Sequence, residues 1–218
     1  RHSFPTRRSS DLEQKCQQAM AQHLTSSQWI VFRILALVEL GQKEAALEQS
    51  QALVTQHPDD LPGLMLRHSV AIRYGLKTVA DETLNLVNTV AKKKPIKDRD
   101  AAELVALGQA ALALGADAKK VIDNYFTPAK RKDSKSAAAY LAAGQLALDK
   151  ADYKLAGTEY QAGLKNHGES TALRFGLAQA FAESDAEKTL KESGAVLEVN
   201  PHHVGALVLR ARHFLRAE

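Results

Sequence analysis

The sequence of 218 residues holds one cysteine, Cys16. That excludes an internal disulfide and any metal cluster built on cysteines, and leaves Cys16 as a small packing residue. It does not fix the compartment, because secreted and periplasmic proteins can also lack disulfides. No run reaches the 18 or so apolar residues that a membrane-spanning helix needs. Aromatic residues are scarce, at 6%. The strings HExxH, GxGxxG and GxxxxGK[ST] are missing. With them goes the sequence case for zinc proteolysis and for the nucleotide folds they mark, and no cofactor is expected. The adjacent pair His202-His203 follows Asn200-Pro201 and reads as a solvated turn, since neighbours in a turn chelate poorly and no third ligand is evident. His68 lies on an apolar helical face and reads as a core histidine.

What is present is ordinary for a folded chain: 45% hydrophobic and 25% charged residues, with alanine and leucine plentiful, a bias toward helix. The formal charge is +4. Part of it sits in residues 1–12, where HSFPTRRSSDL from His2 to Leu12 matches, codon by codon, one reading frame of a common sequencing adapter. Such a segment is set aside from fold reasoning. Without Arg1, Arg7, Arg8 and Asp11 the charge falls to +2. On this reading residues 1–12 are an artefactual or disordered tail, residues 13–218 are the folded array, and the chain is a gene fragment truncated at both ends. Two basic clusters remain: Lys92, Lys93, Lys94, Lys97 and Arg99, then Lys130, Arg131, Lys132 and Lys135. Both read as solvated loops. Single-strand binding would want aromatics interleaved on one basic face, and only Tyr125 and Phe126 are near, so no nucleic acid partner is expected.

The organising feature is a repeat of about 34 residues. The segments GQKEAALEQS at Gly41, GLKTVADETL at Gly75, GADAKKVIDN at Gly115 and ADYKLAGTEY at Ala151 align with one another. Units then begin near residues 27, 61, 101, 137, 170 and 204, with a half unit from Cys16 to Ser27 ahead of them and another from Val204 to Glu218 behind. Each full unit carries two stretches with apolar residues three and four apart, the period of one helical face. Asp60 before Leu61-Pro62 and Asp100 three residues ahead of Glu103 are start signals. Gly41, Gly75 and Gly115 are placed to end first helices in the left-handed conformation, and Pro58 and Pro201 to close second ones. Irregularity is expected in two places. About six extra residues lie within AKKKPIKDRD, and Pro128 is expected to cut the third unit's second helix short. The fifth unit is one residue short at Glu183-Ser184-Asp185.

These residues resemble the tetratricopeptide-repeat family. The eighth position is small at Gly108, Gly144, Ala178 and Ala211, and the twentieth is alanine at Ala46, Ala80 and Ala156. Leu64, Leu104, Tyr140, Leu37 and Phe181 fill the bulky fourth and eleventh positions. Ile34, His68 and Lys120 depart from the pattern. The resemblance implies an all-α, right-handed superhelical solenoid of antiparallel helix pairs, about five full repeats plus a half repeat at each end.

It also implies a groove lined by first helices. Position nine reads Leu35, Ser69, Gln109, Gln145, Gln179 and Arg212; position five reads Val31, Met65, Val105, Leu141, Phe175 and Val208. A glutamine ladder can both donate to and accept from an extended backbone, and the apolar stripe beside it can take side chains. The expected peptide-groove residues are Met65, Val105, Gln109, Leu141, Gln145, Phe175, Gln179 and Arg212. The expected function is a non-enzymatic scaffold for a protein or peptide. Family members that clamp a C-terminal carboxylate use lysine at position five and asparagine at position nine, which this chain lacks. The stretches from Lys120 to Tyr153 and from Leu173 to Glu218 also look like repeats of large bacterial proteins with a zinc-peptidase-like domain downstream. The alternative expectation is therefore an accessory segment of such an enzyme.

Overall fold

The computed structural model describes residues 27–217, and side chains from Trp29 to Leu215. The tail, Cys16 and the leading half unit lie outside the described residues. Among the described residues there is no strand; every regular element is helical. The chain divides into two units, Arg1–Arg99 and Asp100–Glu218.

In the first unit, α1 (Ser27–Glu39) pairs with α2 (Lys43–Gln56), and α3 (Leu61–Arg73) pairs with α4 (Lys77–Ala91). Helix α3 also packs on α1 and α2, so each hairpin stacks on the one before it. Ile34, Leu37, Ala46, Leu53 and Val70 form one core cluster, with partly buried Tyr74 against it. Burying side chains of this size contributes about 1.5–3 kcal/mol each, more than the intrinsic helix preference of any one residue.

The second unit repeats the scheme: α5 (Ala101–Ala113), α6 (Ala118–Val121), a π-helical stretch (Ile122–Phe126), α7 (Thr127–Lys132), α8 (Ala137–Asp149), α9 (Tyr153–Leu164), α10 (Thr171–Phe181), α11 (Ala186–Val199) and α12 (Val204–Ala217). First helices α5, α8, α10 and α12 touch in that order, and α9 packs between α8 and α10. Its core includes a cluster around Leu104, Phe126 and Leu146 and another around Tyr160, Leu173 and Leu177.

The start and stop signals act largely as expected. Asp100 and Glu103 form a complete capping box, the Asp100 side chain accepting from the Glu103 N–H at 2.8 Å and Glu103 accepting from the Asp100 N–H at 2.9 Å. Ser170 accepts from Leu173 N–H, so the fifth unit's first helix starts at Thr171. Asp60 precedes α3, but its side chain makes no cap bond. Helices α2 and α11 end two residues before Pro58 and Pro201.

Gly41, Gly75 and Gly115 have φ of 71°, 72° and 85°, and their turns close alike. Gly41 N–H donates to Val38 O and Gln42 N–H to Leu37 O, the double bond that satisfies the last carbonyls of a helix. A Cβ at any of the three glycines would meet nothing within 4 Å, so the dihedral alone selects glycine. The fourth turn makes the same bonds with an alanine: Ala151 N–H donates to Leu148 O, Asp152 N–H to Ala147 O, and φ is 58°. Left-handed geometry costs an ordinary residue roughly 1–2 kcal/mol, of which glycine's freer unfolded chain returns about 0.4–1 kcal/mol. Ala151→Gly is therefore expected to stabilise the protein by about 0.5–1 kcal/mol, read as a higher urea midpoint at unchanged slope. An unchanged or lower midpoint would refute the strain.

Two expectations need correcting. Pro128 does not end the third unit's second helix, which runs on to Lys132. The chain widens into a π turn, with Thr127 N–H donating back five residues to Ile122 O, and Pro128 falls in the first turn of α7, where a missing N–H costs least. Nor are the two basic clusters wholly solvated. Arg99 is buried and donates to Val90, Ala91 and Lys94 carbonyls, while Lys130 Nζ reaches both carboxylate oxygens of Glu159 at 2.7 and 2.8 Å and ties α7 to α9. No helix among the described residues is long and apolar enough to cross a membrane.

Candidate peptide-binding groove

In the second unit, the 3.6-residue period places positions five and nine of each first helix on one side. Gln109 of α5, Leu141 and Gln145 of α8, and Phe175 and Gln179 of α10 thereby line one cavity of about 560 Å³. Small neighbours keep it open: Ala138 and Ala142 on α8, Ala172 and Gly176 on α10. Tyr160 of α9 and His203 complete the wall. No lining side chain is an acid, a lysine or an arginine, and polarity is supplied by carboxamides, a phenol and an imidazole.

The ladder is uneven. Gln145 Nε2 donates to Asp149 Oδ1 at 2.8 Å, one turn along the same helix, which leaves its carbonyl oxygen free. Gln109 and Gln179 make no side-chain hydrogen bond to any described residue, so their donors and acceptors face the cavity or solvent.

Other predicted site residues fall elsewhere. Val105 is buried in the cluster around Leu104 and Ala142 and adds nothing to the cavity surface. Arg212 is exposed and outside the lining. Met65 belongs to the first unit, is buried, and is outside the lining of the hollow described there. That unit has its own hollow of about 570 Å³, where position-nine residues Leu35 and Ser69 meet Leu66, Ile72 and His68. His68 is thus a half-buried wall residue rather than a core one. Burial pulls its pKa below the usual imidazole value, with Asp81 opposing the shift.

Sequence reasoning missed His203 and Tyr160. His203 Nδ1 accepts from Ala206 N–H at 3.1 Å, the bond a serine or aspartate cap would make. Its ring lies 4.7 Å from that of Phe175, tilted by 53°. A Cβ on Gly205 would come within 2.5 Å of Phe175 Cζ, so this glycine lets the phenyl lie against the first turn of α12. The legible signal was position: His203 directly precedes a helical run, where a capping residue belongs. Tyr160 is 1% exposed, and burial, with the Asp149 carboxylate adding to it, raises its pKa to about 12. The phenol therefore stays protonated near neutral pH. Among the described residues no cluster of histidine, cysteine and acidic groups is arranged to hold a metal.

No family model matches the sequence, and no curated protein matches it. Solved structures do. The chain is similar to TTC0263, a thermophilic TPR protein of Thermus thermophilus, with a TM-score of 0.64 at 19% identity, over 87% of this chain and 100% of that one. A tetratricopeptide repeat protein from Parabacteroides merdae gives a TM-score of 0.51 at 15% identity, over 87% and 72%. A chain of the Cut9-Hcn1 hetero-tetramer of the APC/C gives 0.51 at 13%, over 94% of this chain and 46% of that one. Identities this low speak to fold alone.

Proposed function

We propose that this chain, which has the tetratricopeptide-repeat fold, is a protein-interaction scaffold whose second unit holds an extended peptide segment of a partner against α5, α8 and α10. The observation that carries the reading is convergence. Three carboxamides, Gln109, Gln145 and Gln179, from three successive first helices line one cavity beside Leu141 and Phe175. A carboxamide matches the donor and acceptor of a peptide bond, and the apolar pair offers area for side chains.

Replacing all three glutamines with alanine tests it on a peptide array. These are helix-surface positions where alanine is the better helix former, so the fold should survive with its circular dichroism unchanged. Losing two or three hydrogen bonds of about 1 kcal/mol each should weaken peptide binding roughly thirtyfold or more. Equal binding by the triple variant and the wild type would remove the ladder from the mechanism.

A further inference from the structure

We propose that the Tyr160 hydroxyl is a hydrogen-bond donor on the floor of this groove, and that with the glutamines it selects an uncharged, extended peptide segment by one of its backbone carbonyls. The inference rests on the groove reading above and names the chemistry of its ligand.

Tyr160 belongs to a second helix, α9, yet it lines a cavity built by first helices. It gets there through a slot made by two glycines. A Cβ on Gly144 would lie 2.6 Å from Tyr160 Cζ, and a Cβ on Gly176 would lie 2.4 Å from the same atom. With no side chain on either residue, the ring passes between α8 and α10 with its Cζ end held by both. The hydroxyl makes no hydrogen bond to any described residue, although the residue is 1% exposed. Its oxygen is not one of the fully buried unpaired atoms, so it meets the solvent of the cavity, where a ligand acceptor can take the place of water. The phenol stays protonated, so a ligand atom that replaces water as the partner of its O–H is an acceptor.

The surroundings narrow the acceptor to a neutral one. The lining offers a carboxylate no lysine or arginine and an ammonium group no acid, so burying either charge there would cost desolvation with little return. Asp149, hydrogen-bonded to Gln145 but outside the lining, adds a cost for an anion, while a cation meets no acid in the lining itself. An amide carbonyl, flanked by carboxamides that can pair with neighbouring N–H groups, meets every requirement.

The test uses the full chain against an array of acetyl- and amide-capped peptides in three classes, neutral, acidic and basic. Tyr160→Phe runs in parallel. Phenylalanine keeps the ring in the slot, and the hydroxyl has no internal partner to lose, so the thermal midpoint should not move. Wild-type protein should retain neutral peptides, with affinity insensitive to salt, and Tyr160→Phe should bind them about five- to tenfold more weakly. Equal binding by the variant overturns the role of the hydroxyl and leaves the groove reading intact. Stronger retention of acidic or basic peptides overturns the neutral ligand. Retention of no peptide in any class overturns both the groove reading and this inference.

Discussion

Arg99→Ala is expected to lower stability by about 3 kcal/mol, an effect usually seen only for large core deletions. Helix α4 ends at Ala91, and the last carbonyls of a helix have no partner within it. Arg99 supplies one. Its Nη2 donates to Val90 O at 2.9 Å, Ala91 O at 3.1 Å and Lys94 O at 3.0 Å, and Nε adds a 3.2 Å bond to Lys94 O. The residue is 3% exposed, so water cannot replace those bonds when the side chain is cut. A cation at a helix C-terminus also complements the helix dipole, a smaller effect of roughly 0.3–1 kcal/mol. Arg99→Lys should recover less than half of the loss, because an ammonium group has no counterpart of the Nε bond to Lys94 O and no planar group to fix the directions of the Nη2 bonds. Urea denaturation reads both variants. An Arg99→Ala midpoint corresponding to less than about 1 kcal/mol of loss would show that the loop is held by other contacts.

Arg99 also marks where sequence reading stops. In AKKKPIKDRD it is one basic residue among five in a polar stretch, and composition gives no reason to separate it from the lysines. Its role follows from a loop that carries it back under the helix it terminates, which is a tertiary fact. Pro128 is similar: a breaker by local rule, tolerated because the π turn before it changes which carbonyl needs a donor. The turn glycines, the Asp100–Glu103 box and the paired-helix repeat were legible because each is decided within a few residues by dihedral or cap chemistry. The cavity lining was legible by half. Helical period placed Gln109, Gln145, Gln179, Leu141 and Phe175 on one side, but the same period placed Val105 there too. Val105 is buried in a cluster with Leu104 and Ala142, and counting along one helix cannot reveal what packs over it. Tyr160 escaped because the count assigned the groove to first helices, and the pairing of Gly144 with Gly176, from two successive helical hairpins of the second unit, opens it to a side chain from a second helix.

The same pairing makes the sharpest energetic prediction. Gly157 and Gly176 both lie inside helices, α9 and α10, and alanine in a helix is favoured over glycine by about 1 kcal/mol. At Gly157 the nearest atoms to a new Cβ are Phe181 Cζ at 3.7 Å and Ala180 Cβ at 4.0 Å, ordinary contacts, so Gly157→Ala should stabilise by up to about 1 kcal/mol. At Gly176 the new Cβ would sit 2.4, 2.5 and 2.8 Å from Cζ, Cε1 and Cε2 of Tyr160. The ring cannot retreat, because a Cβ-free Gly144 already receives it on the other side with no space to spare. Overpacking a core typically costs about 1–3 kcal/mol, so Gly176→Ala should destabilise by roughly 2–3 kcal/mol despite its helical gain. Gly144→Ala presses on the same ring and should cost a similar amount. Because both act through Tyr160, the double variant should lose less than the two separate losses added together. Shrinking the ring supplies the control. In a Tyr160→Leu background the Gly176→Ala penalty should fall by at least about 1 kcal/mol, the coupling expected of residues in direct contact. Thermal denaturation of the four variants of that cycle, beside Gly157→Ala, decides the matter. Matching signs at Gly157 and Gly176 would mean that the glycines are not a slot, and an additive cycle would mean that Tyr160 is not what fills it.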